Sequence, residues 1–332
     1  MAIVISKNSG LNDDFWKPVA QVVNAVLKDA DAEQTKYDEL VSKIAVEKKS
    51  KKYAEKQTSV TALANFDIVP EGDTAPLADI QEGTPKLIVH NQFMQELHIT
   101  AEMVEDDDTD TIKSAAQNFV NAYKRTRADF ATAFISAEGS TFSFGSKTGL
   151  DRATGDGVGL FATNHTGVKS DVAAQSNVYT NAFSANMLIR LASIGRNFKS
   201  ESGIVTGYAF NKIIIPGNCW ELEETIKRLI ESDHIISSNY NDVNTQKGKW
   251  ELVVDPLWEA ASGAAPYILM SDDANKAYNG TVFYDRTALN MQNETDIHTR
   301  NLIYNGRARM SIGANNWRHV IMGGASVGTT LT

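Results

Sequence analysis

Residues 95–139 read QELHITAEMVEDDDTDTIKSAAQNFVNAYKRTRADFATAFISAEG, and this segment decides the fold. Apolar and polar residues alternate over 97–103, which predicts a strand. After the acidic run at 105–108, apolar residues recur at steps of three and four up to Gly139, which predicts an amphipathic helix over about 109–137. Its length would be roughly 43 Å, well above that of an ordinary helix. We therefore expect a structural element on which other parts pack.

The predicted helix carries one apolar stripe with a gap at Arg127. Asp108 or Thr109 can cap its start, where the carboxylates are also favoured by the helix dipole. Gly139 is expected to stop it. The stripe consists of Ile112, Ala116, Phe119, Val120, Tyr123, Phe130, Ala131 and Phe134.

Length and composition limit the class of protein. The chain has 332 residues, of which 42% are hydrophobic and 22% charged, as is typical of globular proteins. Its single cysteine, Cys219, excludes a disulfide framework and a cysteine-based zinc site. No segment approaches the ~20 apolar residues of a membrane helix. A net charge of −9 argues against a dedicated nucleic-acid binder, but not against a protein that encloses nucleic acid.

Two neighbouring segments carry opposite charge. Residues 43–56 contain six lysines and two glutamates, whereas residues 70–110 contain eleven acidic side chains and one lysine. They could be two solvated faces, or they could pair within the chain or between copies. A polar loop over 237–249 is a further candidate contact. The candidate inter-subunit residues are Lys48, Lys49, Lys51, Lys52, Glu71, Asp73, Asp79, Glu82, Asn239, Tyr240 and Asn241.

The segments on either side of residues 95–139 predict a discontinuous α+β organisation. Residues 1–59 carry helical pieces, the first capped by residues 12–14, that must pack on something else or on another subunit. Prolines and glycines in 60–96 predict an extended two-stranded loop, which is marginal in water unless it lies on a neighbour. Residues 281–322 are β-rich and are expected to pair with the strand before the long helix. A tail follows at 323–332.

Residues 181–280 form the predicted insertion, an α/β unit. It contains a helix over 184–199, a strand over 213–215, a helix capped by Asn218, and strands over 250–254 and 267–270. The remainder, residues 97–180 and 281–322, would then form one unit built around the long helix.

No catalytic, cofactor or metal site is predicted. The acidic run at 105–108 could hold a divalent cation, but consecutive carboxylates at a helix start do not converge on one ion. His165 has no evident partner carboxylate or nucleophile. Gly155, Gly157 and Gly159 lack the strand and helix that a phosphate loop requires, so loop flexibility explains them more simply.

The order of these parts resembles the major capsid proteins of tailed bacteriophages with the Hong Kong 97 fold. Residues 97–106 (LHITAEMVED) resemble the strand that leads into the spine helix of that family, and residues 123–135 (YKRTRADFATAFI) resemble its second half. Residues 159–165 (GLFATNH) are similar to a segment of Mu-like major head subunits.

The resemblance implies an N-terminal arm (1–59), an extended β-ribbon loop (60–96), a peripheral domain (97–180 and 281–322) and an axial domain (181–280). It implies self-assembly through hexamers and pentamers into a shell around double-stranded DNA, in the virion and assembled in the host cytoplasm. Scaffolding, portal and decoration proteins are possible further partners, with no membrane, cofactor or enzyme activity. An encapsulin-like nanocompartment shell is the alternative, and a soluble metal-dependent enzyme using the acidic run and His165 is a third.

Overall fold

The computed structural model describes residues 4–5, 16–58, 63, 65–77, 82–106, 109–167, 172–234, 243–296 and 298–331. None of the helices in this part of the chain is long and apolar enough to cross a membrane. The helices are α1 (Trp16–Ala32), α2 (Lys36–Ile44), α3 (Ala101–Glu105), α4 (Thr109–Ser136), α5 (Ala185–Arg196), α6 (Trp220–Glu231) and α7 (Asp272–Tyr278). The strands are β1 (Val4–Ile5), β2 (Val46–Lys49), β3 (Ala54–Gln57), β4 (Lys86–Val89), β5 (Asn91–Ile99), β6 (Thr141–Phe144), β7 (Lys147–Asp151), β8 (Lys212–Pro216), β9 (Glu251–Asp255), β10 (Tyr267–Met270), β11 (Thr281–Thr295), β12 (Leu302–Ala314) and β13 (Val320–Gly323).

The predicted long helix is present as α4, which we call the spine helix. Its 28 residues span about 42 Å. The predicted stripe is buried, apart from Tyr123, which is partly buried. The N-terminal half of the stripe packs in a core with α1, β11 and β12. The C-terminal half packs in a larger core with α5, α6 and the strands β8, β10 and β13. Arg127 lies where the two cores meet.

The strand before the spine helix differs in part from the prediction. β5 ends at Ile99, and residues 101–103 lie in α3 instead of continuing the strand. Thr100 causes the change, because its hydroxyl accepts a hydrogen bond from the Met103 amide at 3.3 Å and caps the new helix. Of the proposed caps of the spine helix, Asp108 lies outside the described residues.

A five-stranded sheet lies against the spine helix. Its order is β1-β11-β12-β5, with β2 also parallel to β11. β12 pairs with β5 over nine positions, from Leu302 opposite Ile99 to Met310 opposite Asn91. The prediction that the β-rich end of the chain pairs with the strand before the spine helix is therefore confirmed.

A second, four-stranded sheet has the order β13-β10-β8-β9, and three of its strands, β8, β9 and β10, belong to the insertion. The predicted strands at 213–215, 250–254 and 267–270 are present as β8, β9 and β10, the second one residue later than expected. β13 pairs with β10 in this sheet, so the prediction that residues 317–322 join the other strands of the 281–322 segment beside the spine helix is wrong. The reason is burial: β13 is buried along its whole length and so needs a sheet that is covered on both faces.

The cap predicted for α6 is wrong. Cys219 occupies the N-cap position and makes no capping hydrogen bond with its side chain. The Asn218 side chain instead bonds both backbone groups of Ala260, accepting from its amide at 3.0 Å and donating to its carbonyl at 2.9 Å. Asn218 therefore holds the loop after β9, a partner 42 residues away that no local pattern indicates.

The N-terminal helices pack on the spine helix of the same chain. α1 contributes Trp16, Val23 and Leu27 to the core around the first half of that helix, and α2 contributes Leu40 and Val41 to the larger core. This satisfies the expectation that these helices must pack elsewhere, and the packing partner lies within the chain. The predicted cap at residues 12–14 lies outside the described residues.

Candidate assembly site

The loop between β3 and β4 is the most exposed apolar part of the described chain. β3 and β4 pair antiparallel as the base of a ribbon. Beyond this base, Phe66, Ile68 and Leu77 are 104%, 100% and 97% exposed, so nothing in the described part of the chain covers them. Exposed large apolar side chains grouped on one segment mark a contact with another molecule.

The ribbon base is fixed firmly to its own chain. Gln57 donates from its side-chain amide to the Tyr284 hydroxyl at 2.8 Å, and Lys86 forms an ion pair with Asp151. Ile88 packs with Val282 and Tyr284 in a small core of its own. The chain therefore sets the direction in which the loop leaves the sheet, while the apolar residues of the loop stay uncovered.

The predicted inter-subunit residues divide into three groups. Lys48 is half-buried in β2 and donates to the side chain of Asn279, so its ammonium group already has a hydrogen-bond partner within the chain. The remaining described members are exposed, and no ion pair between described residues joins the lysines to the acidic loop. They are Lys49, Lys51, Lys52, Glu71, Asp73 and Glu82. Asp79, Asn239, Tyr240 and Asn241 lie outside the described residues.

Arg127 fills the gap in the apolar stripe with an ion-pair cluster in which Arg127 and Asp285 are buried, Asp38 is partly buried and Glu47 is exposed. Its guanidinium lies 2.9 Å from Asp285, 2.9 Å from Glu47 and 3.2 Å from Asp38. We call these four residues the Arg127 cluster. Burial by itself lowers the pKa of Arg127, but the surrounding carboxylates outweigh it and raise that pKa above its ordinary value. The cluster joins α2, β2 and β11 to the spine helix. A charged residue inside an apolar stripe was the available signal for it.

Lys124 holds the end of α1 in a similar way. Its ammonium group donates to the carbonyls of Ala30 at 2.9 Å, Asp31 at 3.3 Å and Glu33, and lies 3.6 Å from Asp38. Carbonyl groups at a helix C-terminus lack partners within the helix and favour a nearby cation. Lys124 therefore fixes the arm to the spine helix, a role that the sequence did not indicate.

Arg152 completes the other end of the spine helix. Its guanidinium donates to the carbonyls of Phe134 at 2.5 Å, Ile135 at 3.3 Å and Gly139 at 2.8 Å. Burial lowers the pKa of Arg152 to about 9, against a small opposing effect of Glu138. The helix ends at Ser136 because these contacts and Gly139, at a φ of +90°, turn the chain away.

Gly159 is close-packed instead of flexible. A Cβ added at Gly159 would lie 2.2 Å from the carbonyl oxygen of Gly139. Only glycine allows that approach, so the flexibility that we proposed for this glycine-rich loop does not account for Gly159.

The expectation that His165 has no partner carboxylate is wrong. Its Nδ1 lies 2.6 Å from Asp156 Oδ2, its Nε2 lies 3.2 Å from the Asn177 side-chain oxygen, and its ring stacks on Trp317 with centroids 4.2 Å apart. Burial raises the pKa of Asp156, but hydrogen bonds from His165 and Thr154 outweigh it and leave that pKa below its usual range. Asn177 also donates to the carbonyls of Leu160 and Val320, so the group ties the 156–165 segment to β13. Nine residues separate the two partners, which is why spacing alone did not reveal the pair.

Among the described residues, no group of three or more histidine, cysteine or acidic side chains could hold a metal ion. The buried cations Arg127, Lys124 and Arg152 instead contact carboxylates and backbone carbonyls of their own chain. Their geometry suits a rigid structural subunit.

Comparison with known proteins identifies the family. A sequence-family model described as phage capsid protein matches residues 93–322. The capsid of an empty GTA particle is similar in structure, with a TM-score of 0.55 and 11% identity over 88% of this chain and 91% of its own. Chains from Gordonia phage Cozz and Mycobacterium phage Patience each give a TM-score of 0.52 at 9% identity. They cover 88% and 99% of this chain and 86% and 95% of their own lengths. No curated protein matches the sequence.

At these identities the solved structures support the fold alone, whereas the family model covers more than half of the chain. The chain belongs to the phage capsid protein family, and it is a major capsid protein with the Hong Kong 97-type fold.

Proposed function

We propose that copies of this chain assemble through hexamers and pentamers into an icosahedral shell that encloses double-stranded DNA. The exposed loop carries the proposal, because Phe66, Ile68 and Leu77 have no cover within the described chain. Burying such a side chain against a neighbour contributes about 1.5–3 kcal/mol. Closure over many copies turns these modest contributions into a stable container.

The parts of the chain have different roles in this proposal. Residues 97–180 and 281–322 form the peripheral domain, and residues 181–280 form the axial domain around each capsomer axis. The arm (1–59) packs on the spine helix of its own chain through α1 and α2, the loop (60–96) reaches a neighbouring subunit, and the tail occupies 323–332. Since β13 pairs with β10, the two domains share a sheet, which supports a rigid subunit.

Enclosed DNA would be held without sequence recognition, since the net charge of −9 gives no general attraction to phosphate. Portal, scaffolding and decoration proteins would complete the particle, and assembly would occur in the bacterial cytoplasm. No catalytic role is included in the proposal.

The opposed charges supply a second contact between copies. Lys49, Lys51 and Lys52 are exposed, with Lys52 paired to Glu55 at 3.8 Å, and the exposed Glu82 of the acidic loop has no ion pair with any of the three lysines in the same chain. We infer that the lysines of one copy meet the acidic loop of another. Changing the three lysines to glutamate should impair shell formation. The matched control changes three other exposed lysines, Lys28, Lys199 and Lys276, to glutamate and should assemble normally.

Electron microscopy of the purified protein, expressed alone and with the other head proteins of its phage, tests the proposal. Closed shells or sheets of capsomers are expected, and shells from infected cells should protect DNA from nuclease. Compact small particles under both conditions would refute assembly. Shells filled with protein would instead favour a nanocompartment. Normal particles from the triple-lysine variant, with unchanged salt sensitivity, would reject the charge contact alone.

A further inference from the structure

We propose that residues 65–69 of one copy add as a strand to the free edge of β5 in a second copy, with Phe66 and Ile68 entering a groove beside the spine helix. The inference rests on the proposed function and goes further, because it assigns the surface that receives the loop. It follows from three features: an open strand edge, a groove beside that edge, and an exposed segment with a matching pattern.

The first feature is the edge of β5. β12 pairs with one side of β5, and no other described strand pairs with it. The beginning of the other side is occupied, since Lys147 contacts the Asn91 side chain at 2.8 Å and the ring of Phe144 packs on that of Phe93. The free edge therefore begins beyond Phe93. An open edge presents unpaired amide and carbonyl groups, which an extended segment of another chain can use.

The second feature is a groove of about 470 Å³ between this edge and the spine helix. Its apolar lining comes from Tyr37, Leu97, Ala115, Phe119 and Ala122. Its remaining lining is polar and includes two exposed charged residues, Glu96 and Arg125; Glu96 already accepts a hydrogen bond from the Asn305 side chain at 2.8 Å. The groove thus offers an apolar floor with Arg125 at its rim.

The third feature is the pattern of the loop. In an extended chain, successive side chains point to opposite faces, so Phe66 and Ile68 share one face and Asp67 lies on the other. As an added strand, the segment would place Phe66 and Ile68 on the side of Leu97, toward the groove. Asp67 would lie on the opposite face, beside His98. Pro70 then ends the strand, since proline is tolerated only at strand ends and edges.

Charge complementarity supports the same placement. The exposed acidic residues Glu71 and Asp73 follow the segment directly. An added strand would bring them close to the groove rim, where Arg125 is exposed. Within the described part of one chain, Phe66 and Ile68 stay fully exposed and the groove stays open, so a second copy is the occupant that completes both.

Disulfide trapping between single-cysteine variants tests the contact. The parent is Cys219→Ser, which removes the only cysteine of the chain. Asp67→Cys in one chain is mixed during assembly with His98→Cys, or with Glu96→Cys, in another. Each chain carries one cysteine, so a dimer that links the two variants is intermolecular. Residues opposite each other in an antiparallel pair have Cβ atoms about 4.5–5.5 Å apart, which is close enough for a disulfide.

The matched control is Arg307→Cys. Arg307 is opposite Met94 in the sheet, so it lies on the same face as Glu96 and His98 but one strand, about 4.8 Å, further from the edge. We expect assembled shells to give at least about tenfold more mixed disulfide dimer at position 96 or 98 than at position 307.

A dimer formed preferentially through position 307 would show that the loop lies across the face of the sheet, and it would overturn the inference. Shells without a mixed dimer at any of the three positions would also overturn it, while the proposed function would stand. If the Cys219→Ser parent and the wild type both form neither shells nor capsomers, the proposed function fails, and the inference fails with it.

Discussion

Replacing Arg127 with methionine tests whether the Arg127 cluster joins the arm and the sheet to the spine helix. Methionine keeps a long side chain on the helix but removes the contacts to Asp285, Glu47 and Asp38. Asp38 keeps its contact with Lys124 at 3.6 Å, and Glu47 is partly exposed to water. Asp285 is therefore the carboxylate that is left buried without a cationic partner. Removing one partner of a buried pair costs about 3–5 kcal/mol. We expect a decrease of that size in the free energy of unfolding at pH 7.

The pH dependence of this decrease follows from Asp285. Burial raises the pKa of Asp285, and Arg127 opposes the increase. Without Arg127, the pKa of Asp285 in the folded protein should rise further above its unfolded value. A carboxyl group of this kind stabilises the fold while it is protonated and loses that contribution as the pH rises through its folded pKa. The destabilisation of Arg127→Met should therefore shrink as the pH falls from 7 toward 4.

Equilibrium urea unfolding followed by circular dichroism measures the effect. The double variant Arg127→Met with Asp285→Leu should recover most of the loss, because it leaves no unpaired buried carboxylate. The matched control is Arg125→Met, an exposed arginine on the same helix, for which we expect a change within about 0.5 kcal/mol. A loss below about 1 kcal/mol for Arg127→Met, or no recovery in the double variant, would refute the reasoning.

Four further outcomes are expected from the same measurement. Arg152→Met should lower the free energy of unfolding by about 3 kcal/mol, because three carbonyls at the end of the spine helix lose their donor. Burial lowers the pKa of His319 to about 3, so below the ordinary histidine pKa the unfolded chain takes up a proton that the folded chain does not. The free energy of unfolding should therefore fall by about 1.4 kcal/mol for each pH unit in that range, and His319→Gln should reduce this slope. Asp156→Asn should cost about 1.5–3 kcal/mol at pH 7. Because the pKa of Asp156 is lowered, the wild type loses this advantage as the pH falls through that pKa, so the two acid profiles should converge. Phe66→Ser with Ile68→Ser should leave the free energy of unfolding unchanged within about 0.5 kcal/mol, yet reduce shell yield in sedimentation, since both side chains are fully exposed; an equal loss of stability would contradict this.

Periodicity predicted the spine helix and the main strands because the spacing of apolar residues within each element depends only on residues close together in the sequence. The stripe from Ile112 to Phe134 faces two cores along one helix, and its spacing is a local property. The strands of the inserted unit are short apolar runs bounded by polar residues, a pattern that is also visible in the local sequence. The order of such elements was sufficient to indicate the family, although the identities with solved capsids are near 10%.

The contacts that fix these elements together were not predictable in the same way. Arg127 contacts residues 38, 47 and 285, and His165 contacts Asp156 only because the chain turns between them. A single sequence shows that a charge interrupts an apolar stripe, but not which distant carboxylates compensate it. The pairing of β13 with β10 is similarly long-range, and it depends on which of the two sheets is covered on both faces by other parts of the fold.

Folding and assembly depend on different residues in this chain. The buried charges of Arg127, Lys124 and Arg152 all have partners within the subunit, so removing one destabilises the subunit itself. Phe66, Ile68 and Leu77 have no such cover among the described residues, and their burial can contribute free energy only when a neighbour covers them. The base of the ribbon connects the two, because Gln57 and Lys86 hold it to the sheet and the β6–β7 hairpin. Because these contacts already order the base of the ribbon, the base does not have to be ordered when the loop binds a neighbour. Less conformational entropy is therefore lost on association.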